Sequence, residues 1–180
     1  GTTQFYGKIS ARGGTQSGDG GFVEVSGKKS LVYAGLTDLR APQGMSGTLL
    51  LDPDDVLIVN GAASDGSNLT CVDSGGGTGT CTDPDVNTNA TGPFADSQTA
   101  SGLNATITDG TINAQLGFGN VTVTATEGID SASGVLVDQL VGGTTLNLTA
   151  GTFITLGGTY SGSGNLSLSF TTTLDVTRAP

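Results

Sequence analysis

A strand-like pattern of apolar residues recurs at five places along this chain. Each copy has two apolar residues separated by one position, and a third apolar residue six positions further on. The copies are Val23, Val25 and Leu31; Leu49, Leu51 and Leu57; Val121, Val123 and Ile129; Leu146, Leu148 and Ile154; and Leu166, Leu168 and Leu174. Three of the four intervals between successive copies are 20 to 26 residues long. Repeats of this length predict an all-β solenoid, in which successive turns of short strands stack on one another.

The composition favours the narrow interior of such a solenoid. Glycine accounts for 31 of the 180 residues, aromatic residues for only 5%, and tryptophan is absent, so Val, Leu, Ile and Ala must build the core. The formal net charge is −10, which disfavours binding to nucleic acid and to anionic lipid because both would be repelled. This acidic composition, rich in Thr, Ser and Asn, indicates a secreted or cell-surface bacterial protein.

The sequence contains no membrane-spanning or signal segment that can be recognised. No stretch approaches 18 consecutive apolar residues. The first residues have neither a basic region nor an apolar core of the kind found in a signal peptide. Because strand-like patterning continues close to residue 180, we expect the chain to be a segment of a longer protein.

The strand pattern divides the chain into three parts. Residues 1–59 and 103–180 carry the repeats and are predicted to form solenoid turns, with glycine-rich corners supplying the sharp bends. Residues 60–102 are polar, lack the pattern, and are predicted to form one long loop that protrudes from the rod. Within the third part, Ile112 and Leu116 are four positions apart, which leaves open one turn of helix or a strand corner.

Two segments resemble a paired signature of filamentous-haemagglutinin-like exoproteins, the secreted partners of bacterial two-partner secretion systems. The first is GDGGFVEVSGK at residues 18–28, and the second is GTLLLDPDDV at residues 47–56. Residues 119–125 and 164–169 are similar to the repeats that follow this signature. The resemblance implies a right-handed parallel β-helix, which is exported through an outer-membrane transporter and forms a long fibre for adhesion or contact with other cells.

Few side chains in the sequence are suited to catalysis or metal binding. The chain has no histidine, which excludes a Ser-His-Asp triad within it. The candidate carboxylate pairs are Asp52 with Asp54 or Asp55, and Asp83 with Asp85; an Asp-Pro-Asp turn explains such residues better than catalysis does. No basic residue neighbours these acids, so the sequence predicts no enzyme. We expect no cofactor, although calcium is the metal that such oxygen ligands would suit best.

The two cysteines flank a glycine-rich stretch within the predicted loop. Cys71 and Cys81 enclose nine residues, and in a secreted protein they are expected to form a disulfide worth roughly 2–3 kcal/mol by loop-closure entropy. A redox-active pair is the alternative, but it would need Cys-x-x-Cys spacing or nearby cations. The predicted contact residues of this loop are Asp73, Asp83, Asp85 and Phe94.

The chain contains six Asn-x-Ser/Thr sequences, which are potential glycosylation sites. They begin at Asn68, Asn89, Asn104, Asn120, Asn147 and Asn165. Chance occurrence in a chain rich in Asn and Thr explains them better than glycosylation does, and Asn also suits the corners of a β-helix. If sugars are attached, Asn68, Asn89 and Asn104 are the candidates.

The residues and the resemblance together predict a non-catalytic segment of an adhesin fibre, which acts as a rigid stalk and a contact surface. The expected partners are a protein or glycan on a host or neighbouring cell, the outer-membrane transporter during export, and further copies in a homo-oligomer or fibre. One alternative is a self-assembling subunit of an extracellular filament. A second alternative is a β-helical enzyme that acts on polysaccharide, since β-helices also carry that activity.

Overall fold

The computed structural model of this chain describes residues 2–27, 30–62 and 105–170. These residues form fifteen strands and one helix. The strands before residue 63 are β1 (Thr2–Phe5), β2 (Lys8–Ser10), β3 (Phe22–Ser26), β4 (Ser30–Tyr33), β5 (Leu36–Asp38), β6 (Thr48–Asp52) and β7 (Val56–Val59). The later elements are β8 (Ala105–Thr108), α1 (Asp109–Leu116), β9 (Asn120–Ala125), β10 (Gly128–Ser131), β11 (Leu136–Leu140), β12 (Thr145–Ala150), β13 (Phe153–Leu156), β14 (Thr159–Gly162) and β15 (Asn165–Phe170).

The strands form two large sheets and two short pairs, and every pairing between them is parallel. The first sheet has the order β1-β4-β8-β7-β10-β13, and the second has the order β15-β12-β9-β6-β3. The two pairs are β2-β5 and β11-β14. The same order recurs four times along the chain: of three consecutive strands, the first joins the first sheet, the second joins a short pair, and the third joins the second sheet. The fold is therefore predominantly β, and its strands are parallel.

The second sheet confirms the strand register that the repeats predict. Val23 lies opposite Leu49, Leu49 opposite Val121, and Val121 opposite Leu146, which in turn lies opposite Leu166. Side chains alternate between the two faces of a strand, so these residues share one face. That face is the core side, because Leu49 and Leu146 are fully buried.

The first sheet departs from the repeat at one position. The sequence repeat assigns Leu57 to the place that Leu31 and Ile129 occupy, but in the structure Val56 lies opposite Ile129. Val56 and Ile58 are buried, whereas Leu57 is only half-buried. Val56 follows Leu51 by five positions, whereas in the other copies the corresponding residue follows by six. The connection from the second sheet to the first is therefore one residue shorter here, so Val56 rather than Leu57 faces the core.

Strand β8 and helix α1 interrupt the regular order of the strands. Strand β8 lies between β4 and β7 in the first sheet, although it follows β7 in the chain. Helix α1 contacts β5 of one short pair and β11 of the other, so it occupies the place between the two pairs. Ile112 and Leu116 lie in this helix and are fully buried, so of the two alternatives left open by the sequence the helix is the one observed.

Side-chain amides of α1 complete the hydrogen bonding of the two short pairs. The Gln115 amide accepts from the backbone nitrogen of Thr37 (3.0 Å) and donates to its carbonyl oxygen (2.6 Å). On the other side, Asn113 donates to the carbonyl of Leu136 (2.8 Å) and accepts from the nitrogen of Asp138 (3.0 Å). An amide side chain carries the same donor and acceptor as a peptide group, so the helix substitutes for a strand at both edges.

Candidate contact surface

The predicted contact loop lies largely outside the described residues. This applies to the two cysteines, to the four contact residues and to three of the Asn-x-Ser/Thr sites, which are Cys71, Cys81, Asp73, Asp83, Asp85, Phe94, Asn68, Asn89 and Asn104. Their roles therefore stay predictions. The structure does describe both attachment points of the connecting segment, at residues 60–62 and at the start of β8.

Hydrogen bonds hold the outgoing chain to the start of α1. Thr108 lies opposite Val59 in the paired strands β7 and β8, and its hydroxyl donates to the carbonyl of Ala62 (2.9 Å). The Gly110 nitrogen donates to the carbonyl of Gly61 (3.2 Å). The same Thr108 hydroxyl accepts from the backbone nitrogen of Thr111 (3.1 Å) and so caps the helix.

A buried carboxylate, Asp109, is the centre of this attachment point. Asp109 is only 3% exposed, and each of its two side-chain oxygens accepts two hydrogen bonds. Oδ1 accepts from the nitrogens of Gly61 (2.9 Å) and Gly110 (2.8 Å). Oδ2 accepts from Asn60 Nδ2 (3.0 Å) and from the nitrogen of Leu136 (2.7 Å). Since a buried carboxylate must be compensated in this way, Asp109 ties the outgoing chain, α1 and β11 together.

The two attachment points lie at opposite ends of the β7-β8 pair. The outgoing chain follows the last residue of β7, whereas the returning chain enters β8 at Ala105, opposite Val56. The Ala105 nitrogen donates to the carbonyl of Asp55 (3.1 Å) at that far end. Three residue steps along a parallel strand are about 10 Å, so residues 63–104 connect points separated by the length of the strands.

Asp52 is the last residue of β6, and Asp54 and Asp55 follow it in the corner between β6 and β7. Asp55 accepts from the nitrogen of Gly128 (3.2 Å), and the Asp54 carbonyl accepts from the nitrogen of Glu127 (2.8 Å). These bonds join the corner to the next one along the stack. Burial raises the pKa of Asp52, and the negative charges of Glu24 and Asp54 raise it further.

The structure brings two arginines together around one carboxylate, an arrangement that the sequence reasoning missed. Arg40 binds both oxygens of Asp38 (2.9 and 2.7 Å), and Arg12 lies 3.5 Å from one of them. The bond from Arg40 lowers the pKa of Asp38. The Arg40 guanidinium also lies 4.5 Å from the ring centre of Phe118. This surface therefore carries positive charge on an otherwise acidic protein.

Three of the Asn-x-Ser/Thr sites lie in described strands, and their surroundings differ. Asn120 donates through Nδ2 to the carbonyl of Ser46 (3.1 Å) and accepts from the nitrogen of Thr145 (2.9 Å). The Asn147 side-chain oxygen is buried without a hydrogen-bond partner in the described structure, whereas Asn165 is exposed. A sugar on Asn120 would be attached to the same nitrogen that donates to Ser46.

The polar residues of α1 are the site residues that sequence reasoning missed. Asp109, Asn113 and Gln115 each form a hydrogen bond to a segment more than 20 positions away in the sequence. The residues next to them in the sequence give no indication of these partners. One local signal was available, because a threonine followed by an acidic residue is a common start of a helix. Among residues 2–27, 30–62 and 105–170, no three or more His, Cys, Asp or Glu side chains are grouped to hold a metal ion.

Comparison of the chain with protein-family models, with curated proteins and with solved structures finds no match. No helix among the described residues has the length and apolar character needed to cross a membrane.

Proposed function

We propose that this chain is a non-catalytic segment of a secreted bacterial adhesin fibre. In this proposal it folds as a right-handed parallel β-helix, serves as a rigid stalk, and presents the predicted loop at residues 60–102 as its contact surface. Its partners are a protein or glycan on a host or neighbouring cell, and the outer-membrane transporter during export.

The stacking of β3, β6, β9, β12 and β15 is the observation that carries the proposal. These five strands are parallel and in register, and four apolar residues on the core side are fully buried, namely Leu49, Val123, Leu146 and Leu148. We call each set of strands at one level of this stack a row. The stack can be lengthened by adding further rows, so it suits a long protein that holds its binding surface away from the cell.

The glycines of the paired signature support the same interpretation. Gly21 and Gly47, one from each half of the signature, belong to adjacent corners, where the Thr48 nitrogen donates to the Gly21 carbonyl (3.0 Å). A Cβ atom added at Gly47 would lie only 2.0 Å from that carbonyl oxygen. The signature thus has a physical role in stacking two rows, as expected if the resemblance to filamentous-haemagglutinin-like exoproteins reflects a common fold.

The attachment around Asp109 supports the assignment of the predicted loop, residues 60–102, as the contact surface. Binding segments of proteins are commonly loops held by a rigid framework. Here the buried carboxylate and the capped helix fix where this segment leaves the first sheet. The segment also joins two points at opposite ends of the β7-β8 strand pair.

Binding of the fluorescently labelled chain to host and neighbouring bacterial cells tests this function. A variant with Asp73, Asp83, Asp85 and Phe94 replaced by alanine should bind at least about tenfold more weakly, the loss of roughly 1.4 kcal/mol of contact energy. The matched control is Thr122→Ala with Thr149→Ala, on the outer side of the second sheet. Equal binding by the loop variant, or no saturable binding by the unsubstituted chain, would contradict the proposal.

A further inference from the structure

The chain that leaves β7 begins with Asn60-Gly61, the only Asn-Gly pair in the sequence. In such a pair the glycine nitrogen can attack the side-chain carbonyl carbon of the asparagine, because glycine has no Cβ atom to hinder the approach. A five-membered succinimide ring forms and ammonia is released. The attacking amide nitrogen is a poor nucleophile until it loses its proton, so a base held beside it accelerates the reaction.

Both reacting nitrogens of this pair contact one carboxylate, that of Asp109. The Gly61 backbone nitrogen, which is the nucleophile, donates to Asp109 Oδ1 (2.9 Å). Asn60 Nδ2, which is the leaving group, donates to Oδ2 of the same side chain (3.0 Å). The Asn60 amide and the Gly61 nitrogen therefore face the same group, side by side, as closure of the ring requires.

The surroundings of Asp109 hold this carboxylate in place for proton transfer. Asp109 is only 3% exposed, and the nitrogens of Gly110 (2.8 Å) and Leu136 (2.7 Å) fix its two oxygens. Its contacts to the Asn-Gly pair lie within the distance at which a positioned side chain transfers a proton, about 2.6–3.2 Å between heavy atoms. Asn60 itself is exposed, so water can reach the ring once it has formed.

We propose that Asn60-Gly61 is a site of self-modification, in which Asp109 acts as the general base for succinimide formation. The Gly61 N–H proton passes to Asp109 Oδ1, and the nitrogen attacks Cγ of Asn60. The bond between Cγ and Nδ2 then breaks, and Nδ2 takes the proton from Asp109 and leaves as ammonia. Water afterwards opens the ring at either of its carbonyl groups, which gives aspartate or isoaspartate at position 60.

The modification removes hydrogen bonds that hold the outgoing chain. The ring has neither the Gly61 N–H nor the Asn60 NH₂ group, so Asp109 keeps only the donors at Gly110 and Leu136. After the ring opens, a carboxylate takes the place of the amide that donated to Asp109, and like charges repel. We therefore expect the reaction to loosen the point where the predicted loop leaves the first sheet.

Mass spectrometry of the folded chain, incubated at neutral pH and then digested in mild acid, measures the reaction at residue 60. The peptide should first lose the mass of ammonia and then gain that of water. A positioned general base contributes roughly 10²–10⁴-fold to a rate, so Asp109→Asn should slow the reaction at least about tenfold. Asp138→Asn, at an exposed position, is the matched control and should react like the unsubstituted chain. Asn60→Gln keeps the amide donor but would have to close a six-membered ring, so it should not react.

A second measurement does not depend on whether Asp109→Asn folds. Asp109 is 48 positions from Gly61 and meets it only in the folded protein, so the unsubstituted chain should react faster when folded than in guanidinium chloride. An equal or slower reaction in the folded chain would overturn the proposal, because the hydrogen bonds to Asp109 would then protect the pair. A folded Asp109→Asn chain that reacts as fast as the Asp138→Asn control, or faster, would overturn it too.

Discussion

The side-chain amide of Gln115 is paired with the backbone of Thr37 through both its oxygen and its nitrogen. The donor–acceptor distances are 3.0 and 2.6 Å, and the Gln115 oxygen also accepts from the Tyr33 hydroxyl at 3.0 Å. All three residues are buried. Burial raises the pKa of Tyr33 to about 12, so this hydroxyl is a donor at physiological pH. The helix thereby satisfies backbone groups that would otherwise lose their partners inside the protein.

Replacement of Gln115 should therefore be costly. Gln115→Leu keeps a similar volume but leaves the Thr37 nitrogen and carbonyl without partners, and each unsatisfied buried group costs about 1–3 kcal/mol. We expect a loss of at least about 2 kcal/mol in the free energy of unfolding, measured by urea denaturation. Gln139→Leu, at an exposed position, is the control and should change stability little. Equal denaturation midpoints for the two variants would show that the amide pairing contributes nothing.

Asp109 provides the second prediction, because both of its oxygens accept two hydrogen bonds. Asp109→Asn has nearly the same shape, but in either orientation its NH₂ group faces two donors instead of accepting from them. We expect a destabilisation of about 1–3 kcal/mol and faster hydrogen exchange at the Gly61 and Leu136 amides. Asp138→Asn, on the exposed side of β11, serves as the control. Unchanged exchange at these two amides would mean that the carboxylate does not hold this attachment point.

The corner formed by Gly47 allows a matched pair of glycine substitutions. Gly47→Ala would bring a methyl group 2.0 Å from the Gly21 carbonyl, whereas at Gly7 the nearest atom to the new methyl is 3.5 Å away. Neither backbone is in the positive-φ region, so the comparison isolates close contact. Gly47→Ala should lower the thermal unfolding midpoint by several degrees, and Gly7→Ala should be neutral or slightly stabilising. The same result for both variants would argue against backbone contact between the two corners.

The carboxyls of Asp52 and Asp38 should affect stability with opposite signs. The pKa of Asp52 is raised, so its charge opposes folding above that pKa, and its unfavourable contribution disappears as the pH falls through the raised value towards the ordinary one. The pKa of Asp38 is lowered by Arg40, so its favourable contribution is present above the ordinary pKa and is lost as the pH falls through the lowered value.

Asn substitutions at these two positions test the signs. At pH 7, Asp52→Asn should raise the free energy of unfolding and Asp38→Asn should reduce it, each by less than about 1 kcal/mol because both groups remain partly exposed to solvent. At a pH below both folded-state pKa values the two differences should vanish. Urea denaturation of the three proteins at several pH values measures this. Shifts of the same sign at pH 7 would contradict the assignment of the two environments.

The sequence predicts well the parts of this fold that repeat locally. The register of Val121, Leu146 and Leu166 could be predicted because the apolar residues of such a strand recur at every second position in the sequence. The position of β8 was not predictable in the same way, since Thr106 pairs with Val32, which is 74 positions earlier. The repeat placed Leu57 opposite Ile129, but Val56 takes that position, because the corner before β7 is one residue shorter than the corresponding corners. In the candidate site, Asp109 and Gln115 were missed because their partners are distant in sequence, so only the folded chain reveals what their polar groups contact.

Truncation of Leu146 and Leu166 compares an interior row with the last described row at one register position. Leu146 is fully buried and Leu166 is 38% exposed, so Leu146→Ala should cost about 2–5 kcal/mol of unfolding free energy and Leu166→Ala considerably less. Urea denaturation of the two variants measures this difference. An equal loss of stability for both variants would contradict the different burial of these two leucines.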